Sequence, residues 1–411
     1  GLDSLSSWAT KLQGGKLRIY LRVIVLSMVG LFILFVRIPS ADIFQEVHWN
    51  LDGLNKLRAF SLFVMTVSAL ATTRVRRDLY AVIALGIVGL SGAVWMTLEP
   101  APDVALVQVV VDIFVTVVLI LSLNIIPRKL RTRASEIIHS SHGKRRDWFI
   151  AGLAGLVVAL AAYTALETRD APFNRASRVT PFYAENAKPL TGATDIVGSI
   201  VVDFRAMDTL IEILVFGMAG VAIFTLLHFA EPKNLDHQEK SKQQPAANAP
   251  KGIYGLHTSP LMHVLAYMML PLSFMLAITH MMYGHDQPGD GFTAGVIISL
   301  GVAMWYIIFG YHETRLKLAW LNRNNMVVYG LTLAIINALG GLVFGAGFFA
   351  PVNYGMMLGL PLPAGLYLSS SFFYEIAICL TVMGAATLVI DNLGHPREPD
   401  LETEEMLENS D

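Results

Sequence analysis

Charge is scarce in this chain. Of its 411 residues only 15% are Asp, Glu, Lys or Arg, against roughly a quarter in a soluble domain. There is one cysteine, Cys379, which excludes an internal disulfide and any zinc or iron–sulfur site built from cysteines. It lies in an apolar run and reads as a small core residue. Basic residues are not in excess: 30 Lys and Arg face 32 Asp and Glu. The field of a nucleic-acid binder is therefore absent. The opening GLDSLSSWATKLQGGKLR is polar and amphipathic, without a small-residue cleavage site, so no cleavable leader is expected. No internal repeat is visible.

What is present is apolar length. Hydrophobic residues make up 54% of the chain, and the mean hydropathy is +0.54. The apolar residues gather in runs of about 20, the length needed to cross a bilayer as a helix. Ten such spans are read, at 17–36, 57–73, 79–98, 103–126, 148–166, 207–229, 260–281, 292–310, 325–345 and 366–390. Pro39, Pro100, Pro102, Pro127, Pro232 and Pro351 punctuate several of them. The expected fold is thus all-α and integral to the membrane, a multi-pass protein.

Lys and Arg set the orientation. Seven of them lie between 128 and 146, on the same side as those near 11–18, 74–77, 233–251, 315–323 and 397. Both termini are expected in the cytoplasm. Four parts follow: a six-span part over 1–230, a polar linker over 231–252, a four-span part over 253–395 and an acidic tail over 396–411. The linker, EPKNLDHQEKSKQQPAANAPKG, cannot bury a core.

Ionisable groups at membrane depth are costly, and so rank as functional candidates. Asp112 lies nine residues along from Asp103, about 13 Å up the helix and half a turn round it. Asp103 reads as a cap or dipole partner at the span's start; Asp112 has no such role. In GSIVVDFRAMDTLIEILVFGM, Asp208 and Glu212 share a helix face, and Arg205 can pair with Asp208. With Asp203 the run carries uncompensated negative charge, suited to a proton or a cation. The stretch from Gly192 to Phe229 is too long for one straight span, so a break or π-type bulge is expected near 203–208. The bland alternative is a structural Arg205–Asp208 pair. Glu375 reads as close to mid-depth in the last span, with no charge within a turn to neutralise it. His263 and His280 read as satisfied polar groups near the interfaces, and Arg22 and Arg58 lie near span ends. No lysine lies inside these spans, so a complete lysine-based proton channel is not expected. No metal site and no redox cofactor is expected either.

Between the seventh and eighth spans lies GHDQPGDGFTAG. Pro288 is expected to end the span before it, and Gly284, Gly289 and Gly291 to allow close backbone packing or positive φ. With His285 and Phe292 these form a packing motif. Asp286 and Asp290 are candidates for an outer cation entrance.

Four stretches carry a family resemblance. DLYAVIALGIVG, EPAPDVALVQVVVDIF and YAENAKPLTGATDIVGSIVVDFRAMDTLIEI resemble the C-terminal region of the A subunit of Mrp-type multisubunit Na⁺/H⁺ antiporters. Asp203, Phe204, Arg205, Asp208, Thr209 and Glu212 match that subunit's final motif, and Asp112 stands where glutamate is more usual. GHDQPGDGFTAG resembles the B subunit's signature, with Asp286 for asparagine and Asp290 for a glycine. Tyr374-Glu375 stands where that family has Phe-Asp. The resemblance implies a natural fusion of the C-terminal part of A with B. It implies a membrane subunit that exchanges Na⁺ for H⁺ through Asp112, Asp203, Asp208, Glu212 and Glu375, with Arg205 as charge partner. It also implies an antiporter-like half on another polypeptide of the NuoL/NuoN type, together with small membrane subunits. Two rivals remain. One is the ion-translocating arm of a complex I-related hydrogenase, sulfane reductase or carbon-uptake complex. The other is a scaffold that conducts nothing.

Overall fold

The computed structural model describes residues 17–35, 53–75, 77–99, 101–125, 144–169, 179–229, 259–321, 323–343, 347–359 and 368–394. The linker over 231–252, the acidic tail and residues 126–143 of the basic loop lie outside them. Among the described residues all regular structure is helical apart from one isolated bridge, Asn353 to Ser369.

In chain order the helices are α1 (Leu17–Phe35), α2 (Gly53–Arg74), α3 (Asp78–Leu98), α4 (Pro102–Ile125), α5 (Lys144–Arg169), α6 (Val179–Thr191), the short α7 (Ile196–Ser199), α8 (Ala206–Phe229), α9 (Pro260–Tyr283), α10 (Gly291–Phe309), α11 (Tyr311–Lys317), α12 (Arg323–Val343), α13 (Tyr354–Met357) and α14 (Ser370–Leu393). Each of the ten expected spans has a helix. Eight are long and apolar enough to cross a membrane by length and composition; α1 and α5 carry shorter apolar stretches.

The chain divides into two compact units. In one, α1 packs on α5, with Arg22 paired to Asp147 at 2.8 Å. The other holds α2, α3, α4 and α7 to α14. Its centre is α14, which lies against α12, α10, α8, α4 and α9. Along α14, Tyr374, Ala377, Val382, Ala385, Ala386 and Ile390 are fully buried. Most other helices leave large apolar side chains exposed, such as Phe60 and Phe63 of α2 and Leu261, Met268 and Met275 of α9. Exposed apolar faces this extensive are untenable in water and suit a lipid or protein covering.

Helix ends follow local chemistry. Ser259, Asp290 and Ser369 cap α9, α10 and α14, each accepting from a backbone N–H in the first turn. Two expectations are corrected here. The seventh span ends at Tyr283, before Gly284 and well before Pro288, because the turn begins with the Asp286 and Gln287 amides bonding back to the Tyr283 carbonyl. And because Ser369 starts α14 only at Ser370, Glu375 lies in the helix's second turn, not near mid-span.

Candidate functional site

The buried acids gather at one end of the second unit. Between α7 and α8 the chain makes a π-turn over Ile200–Phe204, then breaks at Arg205 (φ −122°) before α8 begins. The extra residue of a π-turn rotates its two flanks relative to each other, out of α-helical register. The bulge expected from span length is thus present, a few residues early. Its effect is to point Asp203 inward, where it is 8% exposed, while Arg205 and Asp208 face outward. Thr209 secures the break by donating from Oγ1 to the Val201 carbonyl at 2.7 Å.

Asp203 accepts a hydrogen bond from Ser371 Oγ. Ser371 is one turn before Glu375 on α14, so the two acids share an edge of that helix and feel each other's charge. Glu375 is 5% exposed. It accepts from the Gly291 amide, the first residue of α10. A buried carboxylate thus rests on a helix N-terminus, where free amides and the helix dipole favour negative charge. The partner that the sequence did not reveal is therefore a backbone amide of the GHDQPGDGF motif. A Cβ at position 291 would run into the Glu375 carbonyl and carboxylate. That is why glycine stands there.

The rest of the motif locks the turn to its surroundings. The His285 carbonyl accepts from the Thr194 and Asp195 amides, both at 3.0 Å. Asp286 accepts from Thr194 Oγ1 at 2.7 Å, and His285 Nε2 lies 3.3 Å from Ser369 Oγ. Gly289 adopts φ +146° against the His280 ring, and the Phe292 ring meets Phe216 edge-on. Burial holds the His285 imidazole below its ordinary pKa; the nearby Asp286 and Asp195 charges pull the other way. His285, Gly289, Gly291 and Phe292 of the motif thus each meet a residue of another element or of the preceding helix. Asp290 caps α10, accepting from the Thr293 amide at 2.7 Å.

The remaining expected residues make no hydrogen bond to this group, although Glu212 feels the Asp290 charge. Arg205 Nε donates to Asp208 at 2.6 Å, both groups more than half exposed. Glu212 lies on the exposed side of α8, one turn on. Asp112 sits midway along α4, half-buried, accepting from Gln108 at 2.6 Å. It packs on Gly89 of α3, where any Cβ would overlap its carboxylate.

At the other end of α14 lies a cluster that the sequence reading missed. Asp391, 7% exposed, accepts from Tyr306 Oη at 2.5 Å and pairs with Arg323 at 2.6 Å, and with Arg315 more loosely at 3.7 Å. Asp391 and Arg323 fall one and two residues outside the apolar runs, where charge is cheap and draws no notice. The spacing of Arg315 and Tyr311 four apart was the available signal; they do bond, at 2.6 Å.

Apolar helices long enough to cross a membrane, built round buried carboxylates, define a multi-pass membrane protein. Comparison with known proteins gives the family. Residues 63–128 match the MbhD family model, the D subunit of MBH, and residues 142–244 match the MbhE model, the E subunit of MBH. Residues 261–388 match a domain related to the MnhB subunit of Na⁺/H⁺ antiporters. The chain is 31% identical over 333 residues to a probable A/B subunit of a K⁺/H⁺ antiporter from Rhizobium meliloti (strain 1021), covering 77% of this chain and 32% of that one. It is 32% identical over 200 residues to the putative antiporter subunit mnhA2 of Staphylococcus saprophyticus, covering 48% of this chain and 23% of that one. The fold resembles part of the Mrp complex from Dietzia sp. DQ12-45-1b, with TM-score 0.69 and 24% identity over 97% of this chain and 42% of that one. This chain matches the MbhD, MbhE and MnhB models in series and is similar to antiporter subunits named A/B and mnhA2. It spans about a third or less of the length of those curated relatives.

Proposed function

We propose that the chain is a membrane subunit of a multisubunit antiporter that exchanges a monovalent cation for protons, and contributes carboxylates to the ion path. The observation that carries this is the Asp203–Ser371–Glu375 line, two buried acids within electrostatic range of each other, one bonded to the Ser371 hydroxyl and the other to the Gly291 amide, with no basic side chain among those hydrogen-bond partners. Such groups can take up and release a proton without breaking a structural ion pair. A cation arriving nearby displaces that proton electrostatically, which is the elementary step of exchange.

Asp112 extends the path along α4. Asp208, Glu212 and Arg205 face outward, and carry it toward adjoining membrane subunits, including antiporter-like chains of the NuoL/NuoN type and small subunits. Relatives are named for both Na⁺ and K⁺, so the cargo is taken as one of these two. The chain acts as a transporter component and needs no redox cofactor for this role. The hairpin faces outward and both termini lie in the cytoplasm, with Asp286 and Asp290 near the outer mouth.

Everted membrane vesicles holding the complex test this. Adding Na⁺ or K⁺ should collapse an imposed pH gradient in the wild type, and Glu375→Gln should lower the initial rate at least tenfold in an intact complex. A scaffold would lose assembly or nothing.

A further inference from the structure

Beside the buried acid line lies a small cavity that the line does not use. It is about 50 Å³ in volume and is lined by Asp103, Asp195, Asp290, Thr293 and the apolar side chains and glycines between them. We propose that this cavity binds one partly hydrated monovalent cation, with the three carboxylates supplying charge and the Thr293 hydroxyl a direct oxygen ligand.

Thr293 carries the argument. It is 1% exposed, lies in the first turn of α10 and opens on the cavity. Among the described residues no partner reaches its Oγ1. A buried hydroxyl left unpaired costs free energy comparable to a lost hydrogen bond, so it calls for something in the cavity to bond. The carboxylates say what. Asp290 spends one oxygen on the Thr293 amide and keeps the other. Asp195 accepts one amide on each oxygen, from Val197 at 3.2 Å and Gly198 at 2.7 Å, which leaves further lone pairs. Asp103, in the first turn of α4, feels the charge of both. The cavity lining includes no lysine or arginine. Three anions round an unpaired hydroxyl select a cation.

Size and geometry narrow the class. The volume admits a small ion with a few waters. Among the described residues no three acidic, histidine or cysteine side chains stand close enough to share one metal ion directly. A divalent ion clamped by several carboxylates is therefore disfavoured, and a weakly held ion bridged by water fits. Asp290 also lies within electrostatic range of Glu375. Occupancy here is thus felt at the buried acid line. The inference deepens the proposed exchange function, but the site rests on the cavity itself.

Equilibrium binding of radioactive sodium, and of rubidium as the potassium probe, tests it. The assay uses the complex purified through a tag on the full chain, with choline chloride holding ionic strength constant. Thr293→Val removes the hydroxyl at constant charge and nearly constant shape. Asp290→Asn keeps an acceptor for the cap. Each should weaken one class of site by about tenfold, as expected for a lost bond to a charged group, while Thr293→Ser binds as the wild type does. Unchanged binding by both variants, or no saturable binding by the wild type, overturns the site. Proton exchange in proteoliposomes is measured beside it. Exchange with unaltered binding in the variants leaves the function standing without the site. Binding lost in the variants but no exchange in the wild type does the reverse.

Discussion

A single residue pair shows how closely the acids are fitted. Asp112 occupies the space a side chain at position 89 would need, so Gly89→Ala should destabilise the α3–α4 pair. The single change should cost about 1–3 kcal/mol, as overpacking does. Combined with Asp112→Ala, the cost should fall by at least about 0.5 kcal/mol, the coupling expected of groups in contact. Thermal melting of the detergent-solubilised complex, followed by size-exclusion fluorescence, reads both. Additive costs would mean that the two helices do not meet as described. At the far end of α14, Asp391→Asn removes the charge that Arg323 pairs with, while its amide oxygen can still accept from Tyr306. We expect a loss of about 1–3 kcal/mol, seen in the same melt. An unchanged melting midpoint would show that this buried pair does not hold α14 to α12.

At the scale of elements, the π-turn and the α9–α10 hairpin do the placing. Deleting Val201 from the π-turn returns the segment to α-helical register and turns one flank by roughly 100°. Asp203 should then leave Ser371, and exchange activity should fall at least tenfold while the complex still assembles. Activity at the wild-type level would mean that Asp203 is not on the path. Much of this element structure is legible in sequence. The helices of the ten expected spans announce themselves by apolar length, the bulge by a span too long to be straight, and the Arg205–Asp208 pair by its spacing. What stays hidden is what lies between elements far apart in the chain. Glu375 and Gly291 are 84 residues apart, and the acceptor's partner is a backbone amide, which nearly every residue has. The depth of Glu375 was misjudged for a related reason: apolar residues before Ser369 extend the hydropathic run beyond the helix itself. Thr293 gave no sign, because a threonine in an apolar run is unremarkable until its hydroxyl is found unpaired.

For the whole molecule, the hairpin's docking predicts a pH response. Burial lowers the His285 pKa in the folded chain relative to the unfolded one. A depressed pKa stabilises the fold above the unfolded value, near 6.5, and that stability drains away as pH falls through the folded value. The melting midpoint of the complex should therefore drop below about pH 6.5, and His285→Gln should flatten that drop. A wild-type curve flat from about pH 7 to about pH 5 would show that the imidazole is not buried against Ser369.

The central claim is that Asp203 and Glu375 carry ions rather than hold helices together. The most direct measurement is cation-driven pH-gradient collapse in everted vesicles bearing the assembled complex with Asp203→Asn and Glu375→Gln together. These substitutions keep shape and hydrogen bonding but remove both charges. The account predicts an intact complex that no longer exchanges cation for proton. Exchange at the wild-type rate from that doubly neutral complex would contradict it.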